Sequence, residues 1–96
     1  MTHPVQSEIE SDIGPLVRRL SEFGYHPTGS RYDAKSFGNY YVDLSSGKVS
    51  LRIVRDRNQY YVDTSSTEQL RQAGMLRAFG DRSAFERALI DWLRAA

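Results

Sequence analysis

From Asn39 to Asp63 the chain alternates. Tyr40, Val42 and Leu44 stand two residues apart, as do Val49, Leu51 and Ile53, and then Tyr60 and Val62, with mostly polar or charged residues between them. A period of two puts every second side chain on one face of a strand, so each run reads as a half-buried strand and not a helix. Ser46-Gly47 breaks the first run from the second, and Arg57-Asn58 breaks the second from the third; both read as hairpin turns. A two-residue turn at Ser46-Gly47 sets Leu44 against Val49, Val42 against Leu51 and Tyr40 against Ile53. A two-residue turn at Arg57-Asn58 sets Ile53 against Val62 and Arg55 against Tyr60. Arginine takes positive φ poorly, which leaves a longer second turn open. Both turns send the apolar side chains to one face, so the registers agree with each other. The stretch is a three-stranded antiparallel meander.

Helical periods flank it. Ile9, Ile13, Leu16, Val17, Leu20 and Phe23 recur at steps of three and four. Pro15 lies inside this stripe, where it would cost a helix interior roughly 3 kcal/mol or more. A firm helix starting at Ser11 or Asp12 puts Pro15 in the first turn, where its missing N–H matters least. Residues 1–10 then either extend the helix or stay disordered, and Gly24 suits the stop. Residues 25–37 hold turn formers, with a short strand around Ser30 to Asp33 as the alternative to a long loop. After the meander, Leu70, Ala73, Leu76 and Phe79 suggest one helix, ended by Gly80. Phe85, Leu89, Trp92 and Leu93 form the stripe of another, capped by Ser83 with Glu86 or by Asp81. The expected fold is α+β in two layers: an N-terminal helix, the three-stranded meander and two C-terminal helices. They form a single domain over residues 1–96.

Composition narrows the function classes. With 40% hydrophobic and 26% charged residues the chain is ordinary globular protein. No apolar run approaches the roughly 20 residues of a membrane span, and the N-terminus has neither a basic start nor an apolar stretch. Zero cysteines remove disulfides and thiolate chemistry. These features predict a cytoplasmic protein with no membrane association. The 13 basic and 12 acidic residues give a net charge of +1 and are interspersed, which argues against a nucleic-acid footprint.

The polar face of the meander is the candidate site. It carries Tyr41 and Asp43, then Arg52, then Tyr61 and Asp63. The turn-based register puts Arg52 directly across from Tyr41 and from Asp63, with Asp43 on a diagonal. Such pairs contribute about 0.2–1 kcal/mol each and can simply stabilise a wet sheet face. Tyrosine and arginine are also the residues that dominate interface hot spots. The preceding Arg31, Tyr32 and Asp33 could extend such a surface. Mixed charge suits a protein partner better than a phosphate backbone, and the protein is expected to act as a monomer or weak homodimer.

Catalytic constellations are missing from the pattern. The histidines are His3 and His26, too few and too far apart for a dedicated metal site, and His26 before Pro27 reads as a turn residue. No nucleophile elbow marks a serine. Asp43 and Asp63 could be nominated as paired acids, but Arg52 between them favours both being ionised and leaves no proton donor. Gly24, Gly29 and Gly38 are spaced too widely for a phosphate loop. The expectation is a protein without enzymatic activity, cofactor or metal.

Two resemblances bear on partners. The order α-β-β-β-α is similar to that of double-stranded-RNA-binding domains, which implies an RNA-binding module as the alternative function. Yet the loop "SSGK" is too short to enter a groove, and "SSTEQLRQAG" lacks the lysines that open that family's last helix. At sequence level, "FGNYYVDLSSGKVSLRIVRDRNQYYVD", residues 37 to 63, resembles small bacterial immunity-like proteins found beside polymorphic toxins. That resemblance implies an interaction protein that neutralises a cognate toxin by occluding its active site. Tyr41, Tyr61 and Arg52 would be the anchors, and Asp43 and Asp63 would complement a basic toxin surface.

Overall fold

The computed structural model describes residues 5–33, 35, 38–47, 49–63 and 78–95. Its elements are α1 (Ser7–Ser21), β1 (His26–Asp33), β2 (Asn39–Ser45), β3 (Ser50–Asp56), β4 (Gln59–Asp63) and α2 (Arg82–Ala95). The strands form one antiparallel sheet in the order β1-β2-β3-β4. The α+β class is as expected, but the sheet has four strands and not three. The extra strand, β1, contains the short strand weighed at Ser30–Asp33 and extends it back to His26, in place of a long loop. Its Pro27 has no N–H to give a ladder, which an edge strand tolerates, and the register slips between Pro27 and Gly29 in a bulge. The expected helix ending at Gly80 falls largely on residues 64–77, outside the described residues. Its last apolar residue, Phe79, is no helical residue: it forms an isolated antiparallel bridge with Tyr60.

One face of the sheet is the core. Tyr40, Val42, Leu44, Leu51, Ile53, Tyr60 and Val62 are all buried there, together with Ile9, Ile13, Leu16, Val17 and Leu20 of α1 and Phe85, Leu89, Ile90 and Leu93 of α2. Phe85 stacks on Tyr60 and meets Phe79 edge-on, each with ring centroids 5.7 Å apart. Ile90 is buried, whereas Trp92, expected on the stripe, only packs partly against the core. Asp81 caps α2, accepting from the backbone N–H groups of Ser83 and Ala84 at 3.3 Å. That settles the cap in favour of Asp81 over Ser83 with Glu86.

In α1 the proline problem is solved by a kink. Helix begins at Ser7, and Ile13 leaves helical geometry (φ −127°, ψ 19°), so Pro15 opens a second helical piece inside one continuous element. Gly24, at φ +85°, closes it: Tyr25 N–H donates to Leu20 O and Gly24 N–H to Ser21 O, both at 3.0 Å, a Schellman arrangement.

The β2–β3 register differs from the sequence reading by two residues. Leu44 pairs with Leu51, Val42 with Ile53 and Tyr40 with Arg55. The connection is not a two-residue turn but the four residues 46–49, closed by Ser46 N–H to Val49 O at 2.9 Å. Gly47 takes φ +91° there, and its N–H donates to Ser45 Oγ at 3.2 Å. A primed two-residue turn needs positive φ at its first central position, which Ser46 would resist. Val49, expected opposite Leu44 in the core, is 51% exposed in the loop. The β3–β4 register is the expected one, with Ile53 opposite Val62 and Arg55 opposite Tyr60. Arg57 (φ 53°) and Asn58 (φ 65°) make a two-residue turn after all.

Candidate functional site

The face of the sheet turned away from both described helices is organised in rows that run across all four strands. The central row is Arg31–Tyr41–Val54–Tyr61. On one side of it lies Gly29–Asp43–Arg52–Asp63; on the other, Asp33 pairs with Asn39 and Asp56 with Gln59, the two pairs joined by the Asn39–Asp56 side-chain hydrogen bond. The Tyr41–Val54–Tyr61 part of the central row is thus flanked by charged residues on either side.

Arg52 is the most constrained side chain on this face. Its Nε donates to Asp43 Oδ1 at 2.6 Å and its Nη2 to Asp43 Oδ2 at 3.1 Å, a two-pronged pair. The guanidinium also lies 4.0 Å from the centre of the Tyr41 ring. The two-residue slip exchanges the expected roles: Asp43 stands directly across from Arg52 and Tyr41 on the diagonal, while Asp63 keeps its place opposite. The bond to Asp43 holds Arg52 above even its usual high pKa. The pair stays accessible, with side-chain exposures of 42% and 34%.

Of the sequence-predicted residues, Tyr41, Asp43, Arg52, Tyr61, Asp63, Arg31 and Asp33 share this face. Tyr32 does not. It pairs with Tyr40 and packs against the core, because neighbouring residues of a strand point to opposite sides. Sequence reasoning passed over Asp56. Its carboxylate accepts from Asn39 Nδ2 at 3.0 Å, and Asn39 Oδ1 accepts the Arg57 N–H at 3.0 Å. The alternation that puts Arg52 on this face puts Asp56 there as well, four residues further along.

A second cluster joins the helices to the rim of the core. Asp12 Oδ2 accepts the Tyr40 hydroxyl at 2.6 Å and the Tyr60 hydroxyl at 2.8 Å. Arg82 Nη1 reaches Asp12 Oδ1 at 3.3 Å and donates to the Asp12 carbonyl oxygen at 3.0 Å, while Arg55 Nε approaches Oδ2 at 3.9 Å. Burial pushes the Asp12 carboxyl up, but the Tyr40 and Tyr60 hydrogen bonds, the Arg55 charge and the Arg82 bond together hold it below its usual value. Burial and then the bond to Asp12 push both phenols up, Tyr60 to about 12. The carboxylate is therefore a weaker base and the phenols weaker acids than in water. Acid–base catalysis needs both moved toward the working pH, so this cluster reads as a clamp. The signal for the clamp was an aspartate on the apolar stripe, three residues after Ile9 and four before Leu16.

Among the described residues no group of three or more His, Cys, Asp or Glu side chains gathers where it could hold a metal ion. None of the described helices is long and apolar enough to cross a membrane. No protein-family model, curated protein or solved structure matches the chain.

Proposed function

We propose that this chain is a non-enzymatic binding protein that docks a protein partner on the outer face of its sheet. The observation that carries the reading is the Arg52 arrangement. A guanidinium held by both oxygens of Asp43 and laid on Tyr41 has little freedom left to lose, yet remains accessible. Preorganisation of that kind lowers the cost of association, and arginine and tyrosine are the side chains that concentrate binding energy. Tyr61 supplies a second aromatic on the same row, across Val54.

The hairpin's resemblance to immunity-like proteins gives the partner class: a toxin whose active site the face occludes. On this reading the protein works in the cytoplasm, as a monomer or weak homodimer. The RNA-binding alternative fits less well. Asp33, Asp43, Asp56 and Asp63 stand on this face against Arg31 and Arg52, and a phosphate backbone would meet a carboxylate in each outer row.

The test is co-expression with the product of the open reading frame immediately upstream. We expect a stable complex and relief of that product's toxicity. Arg52→Ala should weaken the complex at least tenfold while leaving the melting temperature within a few degrees. Unchanged affinity in that variant would falsify the docking face.

A further inference from the structure

We infer that this outer face contains a pocket for one long basic side chain, a lysine or arginine presented by the partner protein. The inference rests on the docking face proposed above and names what enters it. At the Asn39 end of the sheet, where the central row meets the Asp33–Asp56 row, the surface sinks into a cavity of about 370 Å³. Its floor includes the Tyr41–Val54 pair, which stand directly opposite each other on β2 and β3. Its lining also includes Asp33 and Asp56.

Each of these carboxylates is held through one oxygen. Asp56 Oδ1 takes the Asn39 amide at 3.0 Å, and Asn39 is itself fixed by the Arg57 N–H. Asp33 Oδ1 takes the backbone N–H of Lys35 at 3.0 Å. Among the described residues the second oxygen of each has no partner, and neither carboxylate forms an ion pair. Asp43, by contrast, spends both oxygens on Arg52. The cavity therefore combines an apolar floor with two oriented, uncompensated acceptors.

The cations nearby do not cancel them. Arg55 lines the cavity, but its Nη2 donates to Asn58 Oδ1 at 2.7 Å and its Nε lies toward Asp12. Among the described cations that line the cavity, the exposed Arg31 is the one without an ion pair. A lysine or arginine matches what is left. Its hydrocarbon stem covers Tyr41 and Val54, as such stems do on apolar surface, and its head reaches the free carboxylate oxygens. The Tyr41 ring already accepts a guanidinium from Arg52 at 4.0 Å, so its suitability for a cation is visible in the fold.

The pocket can be tested without the partner. The ¹⁵N-labelled full chain is titrated with Nα-acetyl-lysine methylamide, and separately with the norleucine and glutamate analogues. We expect saturable shifts at the amides of Asn39, Tyr41, Val54 and Asp56 for the lysine probe only. Removing the ammonium, as norleucine does, should weaken binding at least fivefold. The double variant Asp33→Asn, Asp56→Asn keeps the acceptor oxygens that hold Asn39 and Lys35, and should lose the response by the same factor. Arg31→Ala should strengthen it. Equal binding of norleucine, preference for glutamate, or shifts elsewhere on the fold overturns the pocket, even if the double variant does not fold. A saturating lysine probe combined with an Arg52→Ala variant that binds its partner normally would instead retain the pocket and reject the docking face.

Discussion

Each side of the sheet holds a carboxylate that organises aromatic and arginine side chains, and the two do opposite things. On the inner side Asp12 of α1 is mostly covered, 21% exposed, and gathers groups from β2, β3, β4 and α2. On the outer side Asp43 meets one arginine on the neighbouring strand and stays partly in water, 34% exposed. The inner carboxylate joins segments 28 and 48 residues away along the chain, the outer one a segment 9 residues away. A polar group that satisfies several buried donors is worth most to stability, because removing it strands all of them. A group whose partners remain solvated is worth little to the fold and is available to a ligand.

The largest test of that contrast is Asp12→Ala. Stranding two tyrosine hydroxyls and removing an ion-pair partner from Arg55 and Arg82 should cost about 3 kcal/mol in urea-induced unfolding. A loss below about 1 kcal/mol would mean water takes over the clamp. Its pH dependence has a defined sign. Because the fold lowers the Asp12 pKa, its contribution is present above the unfolded value of 3.8 and is lost as pH falls through the folded value. Asp12→Asn should flatten that acid limb. Tyr60 behaves oppositely: its stabilisation is complete below 10.0 and disappears as pH rises toward about 12, a loss that Tyr60→Phe should abolish.

Arg52→Ala comes next, with the effect divided the other way. Partner affinity should fall by about 2 kcal/mol, read by calorimetry, while unfolding changes by less than about 1 kcal/mol. Equal losses in both would erase the distinction between the faces. Arg57→Gly should stabilise by about 1 kcal/mol in the same unfolding assay, since Arg57 sits at φ 53° and glycine removes that strain. The smallest effect belongs to Val49→Thr. Exposed in the loop, it should alter stability by less than about 0.5 kcal/mol; a loss above about 1 kcal/mol would restore the register that faces Val49 toward Leu44.

The readable parts of this molecule are those with a local period. The burial of Ile9, Ile13, Leu16, Val17 and Leu20, the inward set from Tyr40 to Val62 and the outward set from Tyr41 to Asp63 all follow from spacing. β1 was legible only as an alternative short strand at Ser30–Asp33, because "HPTGSRYD" lacks an alternating apolar pattern; an edge strand buries little, and only Pro27 of its side chains is buried. Phe79 looked helical because Leu70, Ala73 and Leu76 precede it at steps of three, yet it bonds the edge of β4 through its backbone. Asp56 and Asn39 were on the legible face, but their mutual bond depends on which residue stands opposite which.

Alternation alone fixed the side of the sheet on which each residue lies, because a strand's side chains repeat every two positions. For the same reason it was blind to a slip of two, which leaves every side chain on its own face. Choosing Asp43 over Tyr41 as the residue across from Arg52 fell to the four-residue loop and to the packing of Leu44 on Leu51 and Val42 on Ile53. The Asp12 clamp, likewise, exists only because the tertiary fold brings distant segments within hydrogen-bond reach, and no local period encodes that distance.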